Sequence, residues 1–167
     1  MKLRFLSIFA AVALVAACES APEDTGAKAG GGQAPATAAK PSIVPGSEQD
    51  FIANVGDRVF FDFDKYNLRS DAKASLDKQV AWLKKYPNYA LTIEGHCDER
   101  GTREYNLALG ERRANSVKEY MVANGLPASR VKTISYGKER PVALGSNEEA
   151  WARNRNAYTV VIEAGRP

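Results

Sequence analysis

The sequence predicts an α+β domain in two layers, a small mixed four-stranded sheet with helices packed on one face, preceded by a disordered tether. Three observations carry this. Short apolar or alternating runs of strand type interleave with two long stretches of helical apolar period between about Val55 and Glu163, a pattern that sets helices against a sheet. The 167-residue chain is 44% hydrophobic and 26% charged, a composition that supports a packed core and argues against disorder throughout. Before about residue 51 the only apolar run is a short one at the N-terminus, so the core belongs to residues 51–167.

Residues 1–17 read as an export signal. Lys2 and Arg4 precede an apolar run from Phe5 to Ala17, which is shorter than the roughly 20 residues that span a bilayer. The run ends in Val15-Ala16-Ala17-Cys18, which resembles a bacterial lipoprotein box: an aliphatic residue, two small residues, then the acceptor cysteine. That resemblance implies that Cys18 becomes the lipidated N-terminus. With each buried methylene contributing about 0.8 kcal/mol, several acyl chains anchor firmly. Glu19, where an aspartate tends to retain enteric lipoproteins in the inner membrane, is compatible with the outer membrane. Residues 18–50 are rich in Ala, Gly, Pro, Ser and Thr, include Gly30-Gly31-Gly32, and have no apolar period. They are expected to form a tether with an r.m.s. span of roughly 30 Å and a stretched reach of about 100 Å.

The folded elements follow in order. Val59 to Phe63 is a short apolar strand ending in Asp64. Ser70 is placed to cap a helix running to about Tyr86, with the stripe Ala72, Leu76, Val80 and Leu83, basic Lys84 and Lys85 in its last turn, and Pro87 as a stop. Tyr89 to Glu94 alternates around Leu91 and Ile93 as a strand. A polar loop over Gly95–Glu104 leads to a second helix from about Asn106 to Asn124. Its inner face carries Leu107, Gly110, Ala114, Val117 and Met121, and Gly125 follows its end. Val131 to Tyr136 is a third strand. Ser146 with Glu149 is a capping-box pattern for a short helix through about Arg155, and Ala157 to Glu163 is the fourth strand. Trp82 and Trp151 read as packing residues.

Charge and composition narrow the function. Lys and Arg number 23 against 20 Asp and Glu, and losing Lys2 and Arg4 with the signal leaves 21 against 20. This lacks the concentrated positive charge that a nucleic-acid binder needs. Two cysteines and one histidine provide little for a metal site, so no metal or cofactor is expected. The densest polar stretch is Glu94-Gly95-His96-Cys97-Asp98-Glu99-Arg100-Gly101. His96 and Cys97 are neighbours on an extended chain and point to opposite faces, which disfavours a nucleophilic pair. Glu94, Asp98 and Glu99 leave open a hydrolase built on two carboxylates. Cys97 reads as a small buried apolar residue and His96 as a loop anchor. Arg113, on a helix, reads as a surface charge or as a structural partner for a nearby acid, Asp98 included.

Several motifs in order add to this. Phe61-Asp62-Phe63-Asp64, Ile93-Glu94-Gly95-His96-Cys97-Asp98 and Asn106-x-x-Leu109-Gly110-x-x-Arg113-Ala114-x-x-Val117 resemble the OmpA-like peptidoglycan-binding domain. Asp98-Glu99-Arg100-Gly101-Thr102, Glu104-Tyr105-Asn106, Ser135-Tyr136-Gly137 and the lipoprotein N-terminus are similar to the family's lipid-anchored members. The resemblance implies non-covalent binding of the diaminopimelate residue of the peptidoglycan stem peptide, with no enzymatic activity. It assigns the ligand's ammonium to Asp98 and its carboxylate to Arg113, whose planar guanidinium suits a bidentate contact. Lysine-type stem peptides lack that second carboxylate and would leave Arg113 unpaired. Phe63 and Asp64 would border the pocket, and Asn106 would shape it beside a helix N-terminus that offers N–H groups to an anion.

For the whole chain, likeness to the lipid-anchored members implies an outer-membrane lipoprotein facing the periplasm. It further implies partnership with TolB and other Tol proteins, and a role in envelope integrity and constriction at division. A wall-binding lipoprotein outside the Tol system is the alternative among binders, and a wall hydrolase using Glu94 or Asp98 is the alternative among enzymes. Two positions depart from the family pattern. Cys97 stands where threonine is common, and Asn156 stands where a second arginine often follows Asn154-Arg155.

Overall fold

The alternation read from the sequence becomes a four-stranded sheet with two long helices in the computed structural model, which describes residues 43–163. The expected signal segment, Cys18 and the tether up to residue 42 lie outside the described residues. The strands are β1 (Arg58–Phe60), β2 (Tyr89–His96), β3 (Val131–Gly137) and β4 (Asn156–Glu163), and the helices are α1 (Glu48–Asp50), α2 (Ser70–Lys85), α3 (Arg103–Ala123) and α4 (Glu148–Asn154). In the sheet order β1-β4-β2-β3, β2 and β3 are parallel and β4 is antiparallel to both its neighbours. The last strand therefore completes the sheet by inserting between β1 and β2.

Strand alternation determines which side chains meet the helices. Val59, Leu91, Ile93, Val131, Ala157 and Val161 are buried, and they form one core with Ala72, Leu76, Val80 and Leu83 of α2 and Ala114, Val117 and Met121 of α3. Burying each larger side chain in that set contributes about 1.5–3 kcal/mol. The alternate positions Phe60, Ile134 and Ile162 are exposed, so the long helices cover one face. Gln79 is a polar member of the interior with a partner at each polar atom: its Nε2 donates to the Gly56 carbonyl at 2.8 Å and its Oε1 accepts from Thr159 Oγ1 at 3.0 Å.

Local boundaries differ from the sequence reading for identifiable reasons. The first strand ends at Phe60 rather than Phe63, because its partner β4 begins at Asn156. Beyond that point the Phe61 N–H still donates to the Arg155 carbonyl at 2.9 Å. Ser70 is the first residue of α2, and Arg69 occupies the cap position without a side-chain bond. Helix α3 starts at Arg103, with Thr102 Oγ1 accepting the Tyr105 N–H at 3.2 Å. Asn147 rather than Ser146 caps α4, through Oδ1 to the Ala150 N–H at 2.9 Å.

The chain is already helical at Glu48–Asp50, so the expected tether boundary at Asp50 falls inside a turn that packs on the domain. Asp50 accepts from Trp82 Nε1 at 2.8 Å, and Tyr89 donates its hydroxyl to the Gly46 carbonyl at 2.8 Å. The bonds from Trp82, Gly46 and Asn54 lower the Asp50 pKa to about 2. Trp82 itself packs against Phe51, Tyr86 and Tyr89.

Two glycine positions are dictated by geometry. Gly125 has φ +92° and closes α3 by the expected turn, its N–H reaching the Val122 carbonyl while the Leu126 N–H reaches that of Met121. Gly95 and Gly110 let β2 and α3 touch backbone to backbone: a Cβ on Gly95 would lie 1.8 Å from the Gly110 carbonyl oxygen. This contact holds α3 against the end of β2 and places Arg113, one turn after Gly110 on the same face, beneath the loop that follows the strand.

Candidate functional site

Arg113 is the largest fully buried side chain among the described residues. Helix α3 carries it under the β2 end, where its three guanidinium nitrogens each donate to a backbone carbonyl: Nε to Lys65 at 2.8 Å, Nη1 to His96 at 2.8 Å and Nη2 to Asp62 at 3.1 Å. The Asp62 and Lys65 carbonyls come from the turn after β1, where Asp64 adopts the left-handed φ of +57° that aspartate tolerates better than most residues. Burial works against the Arg113 charge and lowers its pKa, with the nearby Cys97 and Asp98 opposing that. Among the described residues its guanidinium makes no ion pair with a carboxylate. All three partners are neutral, so the site holds a buried positive charge that is fixed in place and uncompensated by direct contact.

Asp98 does not serve as that partner. Its carboxylate accepts four hydrogen bonds: from Arg100 N (3.1 Å), Nε (3.1 Å) and Nη2 (2.7 Å), and from Arg155 Nη1 (3.3 Å). Burial pushes the Asp98 pKa up, but the bonds and charge of Arg100, with Arg155, outweigh it and hold the group below the usual carboxylate range. Arg155 is tied on three sides, since Nε also donates to the Phe61 carbonyl at 3.0 Å and Nη2 to Glu148 Oε1 at 2.6 Å. Arg100 is looser. Its guanidinium centre lies 4.0 Å from the Phe63 ring centroid and 4.1 Å from that of Trp151, and its side chain is 31% exposed against 8% for Arg155.

A cleft of about 180 Å³ opens between the turn after β1, the loop after β2 and the first turns of α3. All five expected contact residues, Phe63, Asp64, Asp98, Asn106 and Arg113, line it, together with Arg100, Tyr105 and Cys97. Asn106 is in the first turn of α3. Its Nδ2 braces the cleft loop by donating to the Arg100 carbonyl at 2.8 Å and the Thr102 carbonyl at 3.0 Å. The Tyr105 hydroxyl donates to Asp64 Oδ1, joining the two sides of the opening. Cys97 is buried and donates Sγ–H to the Asn106 carbonyl at 3.4 Å, and burial pushes its thiol up to about 11.

Sequence reasoning missed Arg100 and Arg155 as partners of Asp98, and it read Trp151 as packing although its ring supports Arg100. The one available signal was the spacing Asp98-x-Arg100, which allows a carboxylate to bond the N–H and side chain two residues on. Among the described residues, no group of three His, Cys, Asp or Glu side chains is placed to hold a metal.

His96 supports the cleft through its carbonyl, and its ring is buried against Tyr136. Among the described residues, its Nδ1 has no hydrogen-bond partner. Burial, with the charges of Arg58 and Arg140, lowers its pKa from 6.5 to about 4. The unfolded chain therefore takes up this proton first. The stability contributed by neutral His96 is complete above pH 6.5 and is lost as pH falls toward 4, by about 3 kcal/mol in all. Urea unfolding from pH 7 to 4 should show this loss, and His96→Asn should flatten that part of the profile.

Residues 60–155 match the model of the OmpA family. The chain is 59% identical to the peptidoglycan-associated lipoprotein of Rhizobium meliloti over 74% of its own length and 70% of that protein's. It is 39% identical to the protein of the same name from Pasteurella multocida over 92% and 94%. The crystal structure of the peptidoglycan-associated lipoprotein from Burkholderia pseudomallei superposes with a TM-score of 0.64 at 40% identity, covering 66% of this chain and 96% of that one. The C-terminal domain of Helicobacter pylori MotB, at 17% identity and a TM-score of 0.61, shares the fold. With a family model matched over more than half its length and relatives aligned along nearly all of it, the chain belongs to the OmpA family.

Proposed function

We propose that the domain binds peptidoglycan non-covalently by holding the diaminopimelate residue of a stem peptide, and that a lipid on Cys18 ties it to the outer membrane from the periplasmic side. The observation that carries this reading is Arg113, a buried cation whose three hydrogen bonds all go to neutral carbonyls, lining an open cleft. Such a group favours an anion of carboxylate shape. Asp98, on the same cleft, is the counterpart for an ammonium, and the free end of diaminopimelate carries both charges on one carbon. The name shared by the relatives, peptidoglycan-associated lipoprotein, supports peptidoglycan as the ligand. Membership in the Tol system, with TolB as partner and a part in envelope integrity and constriction at division, rests on likeness to the lipid-anchored members. Co-purification of TolB with the chain tests that part.

Calorimetric titration with a diaminopimelate stem peptide and its lysine-type counterpart tests the ligand. Binding should be confined to the diaminopimelate form. Asp98→Asn should weaken it by about 2–5 kcal/mol, since one charge of the ligand would be left without its partner. Equal binding of both peptides would exclude the zwitterion site.

A further inference from the structure

Asp98 as it stands cannot receive an ammonium. A carboxylate has about four lone-pair sites, and Arg100 and Arg155 together donate four hydrogen bonds to this one. One donor must leave before a ligand cation can enter. Arg155 is the wrong candidate, because its Nε and Nη2 are committed to the Phe61 carbonyl and to Glu148. Both side-chain bonds of Arg100 end on Asp98 itself, and its guanidinium is partly exposed at the cleft. A second acceptor is also within reach: Glu148 Oε2 lies 4.0 Å from Arg100 Nη2. The rings of Phe63 and Trp151 offer the departing cation a surface that attracts positive charge.

We infer that Arg100 is a built-in stand-in for the ligand's ammonium, seated on Asp98 and displaced toward Glu148 when the ligand binds. The inference rests on the diaminopimelate reading and adds to it a competitor within the chain. The exchange is cation for cation, so Asp98 keeps its compensation throughout. A ligand that carries a carboxylate but no ammonium would leave Asp98 short of a donor if it moved Arg100, and the cleft selects against it. Arg100 is thus a specificity-determining residue, and it lowers apparent affinity by the fraction of molecules in which it occupies the site.

The experiment is titration of the full chain in detergent with the diaminopimelate stem peptide, comparing wild type, Arg100→Met and Arg100→Lys. Methionine keeps an unbranched stem between the rings but cannot donate to Asp98, whereas lysine keeps a cation there. Arg100→Met should bind about tenfold more tightly than wild type, and Arg100→Lys should stay close to wild type. Binding by Arg100→Met where wild type shows none would be the same result in stronger form. An Arg100→Met variant that binds no better than a binding wild type overturns the stand-in and leaves the proposed function intact. Equal tightening by both variants also overturns it, since relief of bulk would then be the cause. Absence of binding in all three overturns the proposed function together with this inference.

Discussion

Arg113→Ala should abolish binding of the diaminopimelate peptide and lower the stability of the domain by on the order of 3 kcal/mol. Both effects have one cause. The guanidinium is the proposed partner of the ligand carboxylate, and it also ties α3 to two backbone segments, through the Asp62 and Lys65 carbonyls of the turn after β1 and the His96 carbonyl at the end of β2. Removing it leaves those carbonyls without their donor, the buried His96 carbonyl above all, and leaves a void at the largest fully buried side chain among the described residues. Arg113→Lys separates the two roles. Lysine keeps the charge but lacks the planar fork, so it should recover part of the thermal midpoint while binding stays weak. Thermal unfolding and calorimetry on the same two variants check this. Wild-type affinity in Arg113→Lys would show that a point charge is enough and that the fork has no part in recognition.

Gly95→Ala should be the most damaging single-methyl change in the sheet, costing on the order of 3 kcal/mol. The added Cβ would lie 1.8 Å from the Gly110 oxygen and 2.6 Å from its carbonyl carbon. These are backbone atoms of a helix and cannot rotate aside as a side chain would. Helix α3 must shift away from β2, and Arg113 would move out of reach of the His96 carbonyl. Gly110→Ala meets Ser135 Oγ at 2.3 Å but the Gly95 oxygen only at 2.9 Å, so part of its clash is relieved by a serine rotamer, at the loss of the Ser135–Leu107 hydrogen bond. The urea midpoint should therefore fall further for Gly95→Ala than for Gly110→Ala, and the reverse order would show that the β2–α3 contact is not the tight point.

Much of this molecule is legible along the chain. The stripes of α2 and α3, the Leu91 and Ile93 alternation and the Gly125 turn all appear where local periodicity places them, because each depends on residues within a few positions of one another. The helix starts moved by one to three residues, since Asn147 and Thr102 compete with equally suited neighbours and the backbone entering the helix decides among them. The site was legible in a different way. Asp98 and Arg113 stood out through family motifs, while an arginine in the middle of a helix reads by pattern as a surface charge.

Its burial depends on carbonyls 48 and 51 residues away in the chain, and on a glycine contact that admits the helix to the strand. The engagement of Asp98 by Arg155 spans 57 residues and exists only because β4 inserts between β1 and β2. The sequence by itself determined the elements and the core that unites them, which follow from local period, and through its family motifs it named the residues that could meet a zwitterion. Only the tertiary structure decided which charges meet. Arg113 is left facing neutral carbonyls and Asp98 is already occupied, because hydrogen-bond partners are set by distance in space rather than by distance along the chain.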